Sequence, residues 1–340
     1  MTTEHEVWIV PLRVRHPWGL SRGTVHELPS VLLRLGGGLG EAAPARYLGH
    51  TAPALRDRLA AICGAQDEHA PWDRSLPDEP GPVRAALDIA RWDAAARAAG
   101  RSLRAHIDRH EPPPPGGGAT QTCYTVALDD LDAMAARAAA AAHLPFLKIK
   151  LGRDPEFDRL AVRRVAAAAP GARLRVDANG GWTLAQARAL LPELRDLGVE
   201  SVEQPLARGQ LDALAELRRA CASAPPIFAD EDVQGPDSLA ALRGRIDGIN
   251  IKLMKCGGIS PALAMIAAAR REGWRVLLGC MIETRVGLAA AASLAGRVDE
   301  LDLDAHMLTS DDPVPPGSQA LLSAEPPQLP GPGLGVPLRW

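Results

Sequence analysis

Lys148 and Lys150 stand two residues apart in Phe146-Leu147-Lys148-Ile149-Lys150-Leu151-Gly152, and the polar ends of later apolar runs supply Asp177, Glu203, Asp230 and Lys252. Successive side chains of a strand alternate between its faces, so Lys148 and Lys150 point the same way and set two ammonium groups side by side. Asp177 and Asn179 repeat that spacing one unit later. If the strands that carry them are neighbours, Asp177, Glu203 and Asp230 converge, and three converging carboxylates repel unless a cation neutralises them. All-oxygen ligands favour Mg2+ or Mn2+ over zinc. Lysines would flank that metal on both sides, Lys148 and Lys150 on one and Lys252 on the other. Each residue taken singly has an ordinary reading. A strand-end Lys-x-Lys is usually a solvated rim, and Asp230, Glu231 and Asp232 are each candidate helix caps.

The elements that must position these groups follow from periodicity. Phe146 to Gly152 and Leu174 to Trp182 each read as a short strand running into polar residues, with a helix over Pro155 to Ala169 between them. Strand-like segments end near Val126, Lys150, Asp177, Glu203, Asp230, Lys252, Gly279 and Asp304, at intervals of 22 to 27 residues by subtraction. That alternation with helical stretches predicts a parallel sheet, and about eight strands predict a closed barrel, whose sites lie at the C-terminal ends of the strands. No Gly-x-Gly-x-x-Gly follows the first strand, which disfavours a doubly wound dinucleotide-binding sheet. Ahead of this, Val7 to Val14, Ser30 to Leu35 and Leu39 to Ala42 read as strands, and Leu55 to Cys63 and Val83 to Ala99 as helices. Arg15 to Val25 reads as a long loop of the kind that serves as a lid. The proline and glycine run from Glu111 to Gly118 breaks every pattern and marks a domain boundary.

Composition bounds the function class. With 340 residues, 46% of them hydrophobic, the chain can bury one large core and a smaller one. A net charge of -3 without any basic run argues against a nucleic-acid partner. The five cysteines are scattered, which fits a reduced compartment. No apolar run approaches the ~18 residues of a membrane span. The expectation is a cytoplasmic protein that acts on a small molecule, with no nucleic-acid and no membrane partner. A homo-oligomer stays open.

Several of these motifs, in this order, resemble the enolase superfamily, muconate lactonizing enzyme subgroup: Lys148-Ile149-Lys150, Asp177-Ala178-Asn179, Glu203-Gln204-Pro205, Asp230-Glu231, and Asn250-Ile251-Lys252-Leu253-Met254-Lys255-Cys256-Gly257-Gly258. Gly40-Glu41-Ala42-Ala43-Pro44 and Ala86-Leu87-Asp88-Ile89-Ala90-Arg91-Trp92-Asp93 resemble that family's capping domain. The resemblance implies an α/β fold, a modified (β/α)7β TIM-type barrel over residues 119–312, with an α+β capping domain over residues 1–118 completed by residues 313–340. It implies Asp177, Glu203 and Asp230 as Mg2+ ligands, with Asn179, Glu231 and Lys255 supporting them.

Within the subgroup the chain is most similar to dipeptide epimerases. Gly279-Cys280-Met281-Ile282-Glu283 is similar to their seventh-strand motif, which implies Met281 and Glu283 as substrate neighbours. Asp302-Leu303-Asp304 is similar to the Asp-x-Asp that grips the substrate's free ammonium. Thr125 falls where the family places a substrate-contacting threonine. Val25 stands where Ala-Glu epimerases tend to carry an arginine, which implies a dipeptide with a non-acidic second residue. The reaction implied is 1,1-proton transfer alpha to a carboxylate, through an Mg-stabilised enediolate, with Lys150 and Lys252 on opposite faces of the carbon and Lys148 beside Lys150. A neighbouring cation lowers a lysine's pKa, so Lys148 is expected to assist Lys150, and Lys255 to assist Lys252. Alternatives are another reaction of the subgroup, of the o-succinylbenzoate synthase, N-acylamino acid racemase or muconate cycloisomerase type, or a non-catalytic carboxylate-binding barrel.

Overall fold

The computed structural model describes residues 4–20, 23–65, 76, 78–113, 118–119, 121–314 and 331–336, with residues 16–20 and 23–25 described by their backbone alone. The N-terminal part is α+β. Strands β1 (His5–Val10), β4 (Ser30–Leu35) and β5 (Gly38–Ala42) form an antiparallel sheet in the order β1-β4-β5, as the glycine turn at Gly36 and Gly37 predicts. Between them, β2 (Arg13–Leu20) and β3 (Gly23–Glu27) form a separate antiparallel ribbon. The expected loop from Arg15 to Val25 is therefore corrected. Its backbone groups largely pair with each other, Trp18 opposite Val25 and Gly19 opposite Thr24, instead of remaining unpaired.

Helix α1 (Ala52–Ala65) and helix α2 (Gly81–Ala98) cover the sheet, and α3 (Leu103–His110) follows. Strand β5 lies directly on α2. A Cβ built at Gly38 would meet the Ala90 carbonyl oxygen at 2.0 Å, and one at Gly40 the Ala86 carbonyl oxygen at 1.9 Å, so only glycine admits this approach. Helix α3 was not anticipated. Its start carries a legible signal, because the Ser102 hydroxyl accepts from the Ala105 amide as an N-cap.

The rest of the chain alternates β6 (Tyr124–Val126), α4 (Leu131–Ala140), β7 (Phe146–Lys150), α5 (Pro155–Ala168), β8 (Arg173–Asp177), α6 (Leu184–Asp196), β9 (Val199–Glu203), α7 (Leu211–Ala220) and β10 (Ile227–Ala229). It continues with β11 (Gly248–Lys252), α8 (Leu253–Cys256), α9 (Ile259–Arg271), β12 (Arg275–Gly279), α10 (Arg285–Ala292), β13 (Glu300–Asp302) and α11 (Ala305–Leu308). The eight strands from β6 to β13 form one parallel sheet in sequential order. Its ends nearly meet. The Cys123 amide donates to the Leu301 carbonyl at 3.3 Å, and the Leu303 amide to the Thr122 hydroxyl at 2.7 Å, so β13 returns to the entry of β6.

Three expectations are adjusted. Strand β10 stops at Ala229, so Asp230 lies one residue beyond it, because the Asp230 amide donates to the Gln204 side chain at 2.9 Å. Strand β13 stops at Asp302, and Asp304 takes the N-cap position of α11. The segment between β10 and β11 forms a 3-10 helix, Pro236–Leu242, in place of an α-helix. Of the C-terminal return, residues 315–330 and 337–340 lie outside the described residues, as do residues 114–117 of the proline-glycine run. Residues 331–336 run along α2 and α3: the Gly333 amide donates to the Arg101 carbonyl and the Leu334 amide to the buried Asp93 carboxylate. Among the described residues, no helix is long and apolar enough to cross a membrane.

Candidate active site

The C-terminal ends of β7 to β11 bring the sequence-selected residues into one buried cluster. Lys148 and Lys150 share a face of β7, as period two requires. The Lys148 ammonium touches three acids: Asp302 Oδ2 at 2.7 Å, Glu203 Oε2 at 2.8 Å and Asp177 Oδ2 at 3.1 Å. Lys150 Nζ donates to Asp177 Oδ2 at 2.6 Å. Across the barrel, Lys252 Nζ donates to Asp230 Oδ2 at 2.9 Å, and Lys255 Nζ donates to both the carbonyl and the carboxylate of Asp230.

Supporting polar groups lock this cluster. Asn250 Nδ2 donates to Glu203 Oε1 at 2.8 Å. The Asn179 amide donates to Asp177 Oδ1 at 2.9 Å, and its side chain to Glu231 Oε1 at 3.3 Å. Asn179 and Gln204 both take positive φ, 45° and 37°, the only non-glycine residues to do so among those described. Such backbone strain concentrates at functional sites.

The electrostatics follow from burial. For Lys148, burial works against the ammonium but is outweighed by Asp302, Glu203 and Asp177, so its pKa lies well above the ordinary lysine value. Lys252 is raised the same way, burial being outweighed by Asp230 and Glu203. This corrects the expectation that Lys255 lowers the Lys252 pKa: the Asp230 and Glu203 charges outweigh burial and the neighbouring cations. Burial opposes the charge of Asp177 and of Asp230 as well, and their two lysines each outweigh it, holding both acids below the carboxylate range. Glu203 differs. Burial, with Asp177 beside it, pushes it up to about 7.

At the other rim, Asp302 and Asp304 do not form a free pair. Asp302 accepts from Lys148 on Oδ2 and from the Cys123 thiol on Oδ1 at 3.1 Å. Asp304 accepts from the Thr125 amide at 2.6 Å, and burial together with the Asp302 charge pushes it up to about 7. Met281 is half-buried beside the core, whereas Glu283 is 2% exposed with Oε2 unpartnered, and burial and then Glu41 push it well above the ordinary carboxylate value. Glu283 does not pair with Arg285, which turns to Asp312 and the Val314 carbonyl. Val25 lies on β3, its side chain outside the described residues, and Arg22 lies outside them altogether.

The donor set suits a hard divalent cation. Among the described residues, no group of three acids, histidines or cysteines is arranged to hold a metal ion with the side chains as they stand, because ammonium groups are drawn in among the carboxylates. Yet Asp177, Glu203, Asp230, Glu231, Glu283, Asp302 and Asp304 are seven buried carboxyl groups against only four buried ammonium groups, those of Lys148, Lys150, Lys252 and Lys255. That surplus of acid shows in the raised pKa values of Glu203, Glu231, Glu283 and Asp304 and in the unpartnered Glu231 Oε2. Withdrawing the lysine tips would leave Asp177, Glu203 and Asp230 as an oxygen-only set for such a cation. Two features had no counterpart in the sequence reading: the Cys123 thiol on Asp302, and Glu41, which spans to the loop after β12.

Known proteins share this architecture. Residues 130–340 match the family described as enolase C-terminal domain-like. A hydrophobic dipeptide epimerase of Roseobacter litoralis is 36% identical, over 91% of this chain and 92% of its own. An L-Ala-D/L-Glu epimerase of Bacteroides thetaiotaomicron is 32% identical, over 88% of this chain and 79% of its own. The crystal structure of a dipeptide epimerase from Enterococcus faecalis, complexed with Mg and L-Leu-L-Tyr, superimposes with a TM-score of 0.88 at 27% identity, covering 99% of each chain. With the family matched over the barrel whose mouth gathers these charges, and relatives matched over nearly the whole chain, the protein belongs to the enolase superfamily, in the enolase C-terminal domain-like family.

Proposed function

We propose that this protein is a metal-dependent dipeptide epimerase that inverts the carbon alpha to the substrate carboxylate by 1,1-proton transfer. One observation carries the reading. Lys150 on β7 and Lys252 on β11 are separated by three strands in either direction around the eight-stranded barrel, so they face each other across its mouth with the acidic trio to one side. Two-base inversion needs that placement, one base for each face of the carbon.

Asp177, Glu203 and Asp230 are the residues to hold Mg2+, with Mn2+ as a substitute, and Asn179, Glu231 and Lys255 support them. A bound Mg2+ supplies positive charge to the oxygens of the substrate carboxylate as the alpha proton leaves, the general arrangement in this superfamily. In each turnover one of Lys150 and Lys252 starts neutral and takes the proton from its face, while the other starts protonated and delivers one to the opposite face. Carboxylates that now hold both ammonium groups release them once their charge is satisfied elsewhere, and burial then favours the neutral amine. Lys148 would stay charged against Asp302 when Asp177 and Glu203 turn to a metal. Asp304, with Asp302 behind it, receives the dipeptide's ammonium beside Thr125.

The second residue of the dipeptide is apolar or neutral in this reading. Val25 brings no charge to the ribbon over the mouth, Met281 adds an apolar wall, and the relatives from Roseobacter litoralis and Flavobacteria bacterium are named hydrophobic dipeptide epimerases. The capping domain, residues 1–118 with 313–340, positions that ribbon over the barrel of residues 119–312. A cytoplasmic location fits five cysteines that are all free. The test is alpha-proton exchange in deuterated solvent over a dipeptide panel. A kcat/KM highest for Ala-Leu or Ala-Phe is expected, one highest for Ala-Glu overturns the side-chain preference, and no exchange with any dipeptide overturns the activity.

A further inference from the structure

We infer that a second cavity, between the capping domain and the turn after α8, binds a small organic oxyanion with a flat apolar body, of the aromatic carboxylate or aryl phosphate class. The cavity has a volume of about 680 Å³ and lies against the outer face of α2, α3 and the Gly257 to Pro261 turn. That is within the usual range of small-molecule sites. None of the residues that line it carries the lysines or acids of the barrel mouth.

Its chemistry is cationic and unsatisfied. Arg84 and Arg91 face the cavity, and among the described residues neither makes a hydrogen bond or an ion pair within 4 Å. Arg84 is partly buried and Arg91 exposed, whereas the fully buried arginines elsewhere are paired, Arg175 with Glu300, Arg297 with Asp108 and Arg285 with Asp312. Arg84 Nε is buried without a hydrogen bond, as is the Nε of Arg175, Arg285 and Arg297, but Arg84 has no ion-paired acid beside it; Nδ1 of His106, a residue 8% exposed, is unpartnered as well. Asp88, the acid in the wall, accepts from the Ser260 amide at 3.0 Å and hydroxyl at 2.6 Å, and the Arg91 charge also favours its ionised form without an ion pair within 4 Å.

A buried donor without an acceptor costs free energy that an oxyanion in the cavity would recover. The planar guanidinium fork matches a carboxylate or phosphate edge. The apolar body has its own wall. Trp92 is pinned through Nε1 to the Ser260 hydroxyl at 2.9 Å and meets His106 edge-on at 5.9 Å, and the His106 and His110 rings lie 4.8 Å apart. Three rings beside two unpaired guanidinium groups select a flat anion over inorganic phosphate.

The test is calorimetric titration of the metal-loaded enzyme with benzoate, phenyl phosphate and inorganic phosphate. One site is expected that takes either aromatic anion at least about tenfold more tightly than inorganic phosphate. Arg84→Ala should weaken it by about tenfold or more, while Lys150→Ala leaves it unchanged. Should Arg84→Ala fail to fold, Arg91→Glu at an exposed position gives the same readout. Absence of binding up to about 10 mM, well beyond useful affinity, overturns the proposal. So does binding that survives Arg91→Glu or disappears in Lys150→Ala. A change of oligomeric state in Arg91→Glu without any effect on anion binding would assign the surface to a second copy of the chain instead.

Discussion

Glu41→Gln is the sharpest test of how the cap is held on the barrel. Glu41 is fully buried on β5, and each of its oxygens accepts from one backbone amide and one hydroxyl. Oε1 takes Ser30 Oγ at 2.6 Å and Thr284 N at 2.8 Å, and Oε2 takes Thr284 Oγ1 at 2.5 Å and Gly287 N at 2.8 Å. Whichever way a glutamine turns, its NH2 faces one amide donor that cannot rotate away. One buried N–H loses its acceptor and the remaining bonds lose their charge, a cost of about 3 kcal/mol out of a typical total of about 5–15 kcal/mol. At a urea slope of about 3 kcal/mol per M, the unfolding midpoint falls by about 1 M with the slope unchanged. Burial outweighs these hydrogen bonds, so the Glu41 pKa lies above 4.5 in the folded protein. A group raised on folding gives its full contribution below the unfolded pKa and loses it as pH rises through the folded one. A protonated Glu41 can turn its one hydrogen to a hydroxyl and still accept both amides, whereas the amide cannot. The gap between wild type and variant is therefore wider at acid pH than at pH 8. A midpoint shift under about 0.2 M, or a gap that widens as pH rises, refutes this account.

Three further predictions concern the barrel mouth. Lys150→Ala and Lys252→Ala should each lower epimerisation by about 10³-fold or more, with one variant still exchanging the alpha proton of a single stereoisomer; native rates in both would remove the two-base assignment. Asp304 titrates at about 7, so kcat/KM for free dipeptides should rise as pH passes that value and the acid gains its charge; Asp304→Asn should flatten that limb, and an unchanged profile counts against ammonium binding there. Cys123→Ala should raise KM for dipeptides more than it lowers kcat, because Asp302 Oδ1 loses the donor that orients it; Cys123→Ser should recover most of the loss, and a serine variant no better than alanine makes the thiol a packing group.

Much of the barrel was legible because five of the eight parallel strands end on a charged residue, and Lys150, Asp177, Glu203 and Lys252 close theirs as read. Asp230 and Asp304 fell just beyond theirs for reasons of long-range partnership: a glutamine side chain 26 residues away takes the Asp230 amide, and Asp304 caps a helix too short to show periodicity. The ribbon of β2 and β3 was missed because its evidence is cross-strand pairing, which a mixed sequence does not display. Helix α3 has only eight residues, too few for a periodic stripe to stand out. Neither Cys123 on Asp302, 179 residues apart, nor Glu41 on Thr284, 243 apart, has any local signature. The Lys252 pKa direction went astray for the same reason. Sequence shows which cations neighbour a lysine along the strand, but the acids that dominate arrive from other strands.

Charge balance links the cofactor to the substrate preference. The buried carboxyl groups at the mouth outnumber its four ammonium groups, and burial pushes Glu203 and Asp304 up to about 7, so a divalent cation offsets a surplus of acid. A dipeptide with a neutral second side chain is a zwitterion, so its ammonium and carboxylate enter without disturbing that balance. An acidic second residue brings one more negative charge to a mouth already rich in buried acids. Two like charges 4 Å apart repel by about 4 kcal/mol at an effective dielectric of 20, enough for roughly three orders of magnitude in binding. An N-acylated amino acid meets the same penalty for a different reason, since it keeps its carboxylate and lacks the ammonium that Asp304 would receive. Both expectations arise from one count of buried charges, so a variant that removes one of them should shift both together. In Asp304→Asn, discrimination against N-acyl substrates and against Ala-Glu should shrink in parallel, and a change in one without the other would separate ammonium recognition from overall charge.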